Sequence, residues 1–213
     1  MPPWTRLLER AVAGLAAMDA AGQPVPDWVL GGGTALMLHA DHRLSRDIDA
    51  FITDPQYLAY LSPDGGGEDI WGAHTFDRTA HYLKLVYPEG EIDFIVAPAL
   101  TALPVIDRDV AGIGIRLEHP VEIAIKKMHF RGAQLKVRDV FDIAVVDAVH
   151  SDLLEAHLPV VTDRKAAILS RLSSIPSAYA AAELAELDIR PHWEDVALRC
   201  MDLMGAVARR IPD

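Results

Sequence analysis

The sequence predicts an α+β fold, with strands and helices mixed over residues 1–115 and helices alone over residues 116–213. Three observations carry this. Short alternating apolar segments, "RDIDAFIT", "HYLKLVYP" and "EIDFIVAP", lie in the first part, each bounded by turn formers. Beyond Arg116 apolar residues recur at helical spacing instead, first Val121, Ala124, Ile125 and Met128, then Val140, Phe141, Ala144, Val145 and Ala148. Hydrophobic residues make up 51% of the 213, enough to build a core in one large domain or two small ones.

Taken in order, Leu7, Leu8, Val12, Leu15 and Ala16 mark a first helix ending near Gly22. "DWVLGGG" reads as a short strand running into a turn, and "TALMLHA" as a helix opened by Thr34. "RDIDAFIT" is a second strand, and "GGGEDIWG" a turn-rich loop. "HYLKLVYP" and "EIDFIVAP" form a hairpin joined around "EG". Helical patterns then run to Arg210, with breaks near Leu158 and Ser173.

The formal net charge of -11 argues against non-specific duplex DNA binding, which needs a broad basic surface. Cys200 is the single cysteine, so neither an intramolecular disulfide nor a cysteine zinc cluster can form, and burial is its expected fate. His39, His42, His74, His81, His119 and His129 show no metal-ligand spacing. The apolar run over residues 11–18 is too short for a membrane span and reads as one face of a helix, so a cytoplasmic protein is expected.

"GGGTALMLHADHRLSRDIDAF" concentrates the chemistry. On a strand, Asp47 and Asp49 project to one face while Ile48 points to the other. Two adjacent carboxylates repel, and a divalent cation such as Mg²⁺ relieves that repulsion. Upstream, Gly31, Gly32 and Gly33 permit a tight turn, and the helix N-terminus near Thr34 offers N–H groups to phosphate. The competing reading is a structural turn with two solvated aspartates paired to Arg43 and Arg46.

Two further stretches add candidates. Glu91 and Asp93 share one strand face, and Asp93 lies deeper, between Ile92 and Phe94. Residues 116–142 hold six Lys or Arg against four Asp or Glu, a basic stretch in an acidic chain. There Lys127 and Arg131 stand one helical turn apart, off the apolar stripe, where they could reach phosphate, while Lys126 is rotated about 100° away. Asp139 and Asp142 follow at i,i+3 spacing, away from Val140 and Phe141. Surface i,i+4 pairing, such as Arg138 with Asp142, is the plainer account.

The first of these stretches resembles the signature of the AbiEii-like nucleotidyltransferase toxins, within the polymerase-β-type superfamily. Thr34 after the glycines and the lead-in of His42, Arg43 and Ser45 both fit. "VEIAIKKMHFRGAQLKVRDVFDIAVV" is similar to the later motifs of the same family, a lysine followed by an "RD-x-x-D" helix. The resemblance implies a nucleotidyltransferase core of mixed sheet and flanking helices, then a C-terminal helical bundle completing a cleft. It implies that Gly32, Gly33 and Thr34 contact a nucleoside triphosphate and that Asp47 and Asp49 bind Mg²⁺, with Asp93 as third acid. Lys127, Arg131, Arg138, Asp139 and Asp142 would border the cleft, with Lys127 and Arg131 toward phosphate and Asp142 catalytic. The implied reaction is transfer of a nucleotide to an acceptor hydroxyl, on tRNA or another structured RNA, by a toxin with a cognate antitoxin. The alternatives are the same chemistry on a protein or small molecule, or a nucleotide-binding module without catalysis.

Overall fold

A computed structural model describes residues 2–65 and 68–213. They gather into two units, one of Met1–Ala35, Ser45–Pro98 and Pro104–Glu118, the other of Leu36–Leu44, Ala99–Leu103 and His119–Asp213. The elements in chain order are α1 (Pro3–Ala20), β1 (Val29–Gly31), α2 (Gly32–Ala40), β2 (Ile48–Ile52), α3 (Tyr57–Leu61), α4 (Glu68–Trp71), β3 (Thr75–Arg78), β4 (Tyr82–Tyr87), β5 (Gly90–Val96), β6 (Ile106–Val110) and β7 (Ile113–Leu117). There follow α5 (Pro120–Arg131), α6 (Val137–His157), α7 (Lys165–Ser174), α8 (Ser177–Ala185) and α9 (Glu194–Arg210).

The first unit is built on a mixed seven-stranded sheet of order β3-β4-β5-β2-β1-β7-β6. β2 runs parallel to β5, and β1 parallel to β7; the other pairings are antiparallel. Strand alternation explains the sheet's core: Ile48, Ala50, Ile52, Leu83, Leu85, Ile92 and Phe94 are buried, and the polar residues between them lie on the opposite face. α1 opens with Pro3 in its first turn, where the missing N–H costs nothing, and buries Leu7, Leu8, Ala11, Leu15 and Met18. A Cβ at Gly14 would overlap the Trp71 ring, so that glycine admits close packing.

Three strands go beyond the sequence reading: β3, β6 and β7. β3 and β6 are mostly exposed edge strands without an apolar face, so periodicity gives no signal for them. The expected loop over residues 65–72 contains the short helix α4; residues 66 and 67 lie outside the described residues. α2 begins at Gly32, two residues before Thr34.

In the second unit, α6 packs against α5 and α9. His119 caps α5 by accepting the Val121 N–H on Nδ1 at 3.1 Å, and Gly132, at φ 42°, ends it. α6 is opened by Asp139, whose carboxylate reaches back to the Lys136 N–H at 3.0 Å. α9 buries Ala197, Cys200, Met204, Val207 and Ala208 along one stripe. Cys200 is free and fully buried, and burial pushes its thiol up to about 11, so it is packing rather than chemistry. Among the described residues no helix is long and apolar enough to cross a membrane.

Candidate active site

Sheet register assembles the first-unit site. Gly31 on β1 lies opposite Asp49 on β2, Asp49 beside Asp93 on β5, and Asp93 opposite Lys84 on β4. Four strands therefore present one row, Gly31–Asp49–Asp93–Lys84, with two carboxylates as adjacent members. Paired positions on neighbouring strands share a face and lie within about 4.5–5.5 Å at Cβ.

The glycine turn closes one end of the row. Gly32 sits at φ +61°, and a Cβ there would overlap Asp49 Oδ2. The turn therefore needs glycine twice, for its left-handed backbone and for the approach of the carboxylate. Gly32→Ala should cost at least about 1–2 kcal/mol from backbone strain alone and displace Asp49. Chemical denaturation together with nucleotide titration checks this; a variant matching wild type in both would show that the turn does not set the acid.

Thr34 is fully buried and donates its hydroxyl to the Asp47 backbone carbonyl at 2.5 Å. Its side chain thus ties α2 to the segment entering β2. Gly33 is buried and Gly32 partly exposed, so it is backbone that this turn presents. The hydrogen-bonded strand starts at Ile48, leaving Asp47 one residue outside it. Asp47 Oδ1 accepts the Glu91 N–H at 3.1 Å. In sheet register the acid beside Asp49 is Asp93.

Asp93 is the electrostatically unusual member. Burial first, with the Asp49 charge adding and the Lys84 ammonium opposing, pushes its carboxyl up to about 7. Its Oδ1 is buried without a hydrogen-bond partner, while Oδ2 lies 3.3 Å from Lys84 Nζ. Lys84 also pairs with Glu91. Among the described residues no three His, Cys, Asp or Glu side chains form a ready metal cluster. The adjacent Asp49 and Asp93, with one unsatisfied oxygen, still fit a magnesium ion, which takes few carboxylates and completes its shell with water and phosphate. Glu118, just past β7 and buried, lays its carboxylate against Gly31.

Sequence reasoning did not identify Lys84 or Glu118. For Lys84 the signal was the hairpin register. The turn occupies Pro88 and Glu89, because Tyr87 pairs with Gly90, and this places Lys84 opposite Asp93. A turn centred on "EG" moves that pairing by two residues.

The second unit holds the later motifs in one buried ion network. Asp142, fully buried, accepts from Arg43 Nε at 2.7 Å and Nη2 at 2.8 Å, lies 2.8 Å from His42 Nε2, and is 3.0 Å from Lys127 Nζ. Asp139, also fully buried, pairs with Lys127 and Arg131, both at 2.8 Å. Although burial opposes it, the Arg43 and Lys127 charges and the His42 bond hold the Asp142 carboxyl well below its usual range. Asp139 is likewise lowered, by Lys127 and Arg131 against burial. The lead-in of His42 and Arg43 thus serves Asp142, 99 or more residues away.

Several expectations change here. Asp139 and Asp142 are interior, so the expected surface pair of Arg138 with Asp142 is replaced by bonds to Arg43, His42 and Lys127. Lys126 is as buried as Lys127 and lies 3.8 Å from Glu122. Glu122 in turn accepts the Leu100 and Thr101 N–H groups, at 2.8 and 2.9 Å. The basic excess of residues 116–142 is therefore largely spent internally, with Lys136 and Arg138 left exposed. In the Arg43, Lys127, Arg131, Asp139 and Asp142 cluster, three cations face two carboxylates, and Arg131 is its 38% exposed outlet.

A mixed sheet with a glycine turn before one acid strand and a second acid strand beside it is the arrangement that the resemblance to nucleotidyltransferases implies. The model of the family described as "Nucleotidyl transferase AbiEii toxin, Type IV TA system" matches residues 15–208, and the chain belongs to that family. Among solved structures it is similar to JHP933 from Helicobacter pylori, at 15% identity and a TM-score of 0.50, covering 98% of this chain and 91% of that one. That likeness is one of fold. It is also similar, more loosely, to an antigenic nucleotidyltransferase-like protein from Paracoccidioides brasiliensis, at 17% identity and a TM-score of 0.38, covering 78% and 92%. No curated protein sequence matches the chain.

Proposed function

We propose that the protein transfers a nucleoside monophosphate from a nucleoside triphosphate to an acceptor hydroxyl in a Mg²⁺-dependent reaction, as the toxin of a toxin–antitoxin pair. The observation that carries this is the pairing of Asp49 with Asp93 in register beside the Gly31–Gly32 turn. Asp49 and Asp93, with Asp47 next to them, would hold the ion. When bound, it neutralises triphosphate charge and favours the ionised acceptor oxygen.

The chain's own residues do the rest. Backbone N–H groups at the start of α2, from Gly32 and Gly33, receive phosphate oxygens, favoured by the helix dipole. Thr34 fixes that turn relative to Asp47 through its bond to the Asp47 carbonyl. Asp93 orients the acceptor hydroxyl and takes its proton as the oxygen attacks the α-phosphorus in line and pyrophosphate leaves. Within the second unit, Arg131, 38% exposed, is the cation of the network open to an anionic phosphate oxygen, and Lys127, Asp139 and Asp142 are positioning residues behind it.

The acceptor we infer is the end of a structured RNA such as tRNA, reached through a short contact because the net charge of -11 disfavours a long one. A cognate antitoxin is the expected protein partner. Incubating the protein with each labelled nucleoside triphosphate, Mg²⁺ and total RNA tests this. Label should appear on tRNA-sized species and weaken as salt rises. Label on protein or a small molecule alone would move the acceptor to those classes. No label with any nucleotide would reduce the protein to a nucleotide-binding module.

A further inference from the structure

Lys84 is a cation of the carboxylate row. It stands directly across from Asp93 on β4, its Nζ is 3.3 Å from Asp93 Oδ2, and it is also paired with Glu91 on the same β5 face. It is not a surface lysine extending into water: its side chain is 30% exposed and lies between two carboxylates of 36% and 18% exposure. Such a site has a problem before any divalent cation arrives. Asp49 and Asp93 are neighbours in register, and like charges so placed work against the fold.

We propose that Lys84 is a positioning residue that serves as the built-in counter-ion of the acid row and is displaced from Asp93 when a divalent cation binds. This rests on the reading of Asp49 and Asp93 as cation ligands. Glu91 is what makes the exchange feasible. It adjoins the hairpin turn and keeps a hold on the Lys84 ammonium when Asp93 is surrendered, so the ammonium swings on its flexible stem between two carboxylates. The row therefore has two arrangements: a resting one, with Lys84 on Asp93, and a loaded one, with Lys84 on Glu91 alone. Cation binding must overcome the first, which sets a threshold on affinity. A monovalent ammonium competes with a divalent ion for the same carboxylate, and the divalent ion wins only above a certain concentration.

The prediction has an unusual sign. Lys84→Met deletes a residue beside the site, yet divalent-cation affinity should rise, by roughly tenfold, because a competing positive charge a few ångströms away is gone. Mn²⁺ binding followed by electron paramagnetic resonance, without nucleotide, reads this directly and does not depend on turnover. The metal-free variant should also melt at a lower temperature than wild type and gain more on adding Mn²⁺. Lys84→Arg, which keeps the charge, should bind Mn²⁺ like wild type. If Lys84→Met fails to fold, Lys84→Gln carries the same test with a polar end in place of the methyl. Equal or weaker Mn²⁺ binding in the charge-deleted variant overturns the proposal, since an ammonium that competes with the ion for Asp93 must raise affinity when lost. Wild type that binds no Mn²⁺, with Asp49→Asn no different, overturns both this proposal and the cation-site reading beneath it. Wild-type binding abolished by Asp49→Asn but unmoved by Lys84→Met overturns this proposal alone.

Discussion

Replacing Asp49 and Asp93 together by asparagine should reduce nucleotidyl transfer by roughly three orders of magnitude or more while leaving the protein folded. Asparagine keeps the size of each side chain and removes both negative charges. The fold survives because the acids sit in regular strand positions, and their backbone pairing between β2 and β5 does not depend on side-chain charge. Thermal stability should be at least that of wild type. Burial and the neighbouring charge already press Asp93 to remain protonated, so deleting both charges relieves a cost rather than removing a support. Circular dichroism melting and a labelled-nucleotide assay on the same preparation separate the two effects. Turnover retained in a well-folded double variant would take these acids out of the chemistry.

Asp142→Asn should have the opposite profile, a large loss of stability of about 3–5 kcal/mol, because it leaves the buried cation network short of a charge. For a chain of this size that corresponds to a melting temperature lower by roughly 6–20 °C. Lys127→Met should also destabilise, since its Nζ bridges Asp139 and Asp142 at 2.8 and 3.0 Å. The two changes should not add, because they delete ends of one interaction. The pH dependence follows from the direction of the shifts. Asp142 and Asp139 are both depressed below the ordinary 3.8, so their contribution is fully present above the unfolded-state value. It is lost as pH falls through the lower folded-state values. The stability gap between wild type and Asp142→Asn should therefore be constant above about pH 5 and narrow on acidification, as urea titrations at several pH values would show. A gap that widened in acid would mean that Asp142 is not the ionised centre of the network.

Much of the fold was legible in the sequence because the elements that build it carry strong periodicity. α1, β2 and the β4–β5 hairpin lie where their apolar spacing predicts; α5 and α6 do too, although each also buries charged residues, Glu122, Lys126 and Lys127 in one and Asp139 and Asp142 in the other. β6 and β7 escaped because β6 reads "IDRDV", a polar edge held by pairing rather than by burial. At the site, Gly32, Asp49 and Asp93 were legible as residue types at a recognisable spacing. What spacing cannot give is register. Only the pairing of β2 with β5 shows that Asp49's neighbour is Asp93, and only the position of the turn at Pro88 and Glu89 brings Lys84 to the row. Long-range charge pairing is equally silent in sequence. Nothing local to His42 and Arg43 says that their anion lies in α6, because a salt bridge across 99 residues is chosen by the fold.

That last contact also bears on how the protein is made. The segment with His42 and Arg43 belongs with the later helices, although it leaves the ribosome long before them. At synthesis speeds of about 5–20 residues per second, Arg43 is translated roughly 5–20 s before Asp142. For about the second half of that interval the nascent chain carries the glycine turn and the acids of β2 and β5, while Asp142 is still to be made. Completion of this toxin is thus coupled to translation of α6. A chain that stops between β5 and Asp142 bears the glycine turn and the acid strands, without the carboxylate that pairs with Arg43.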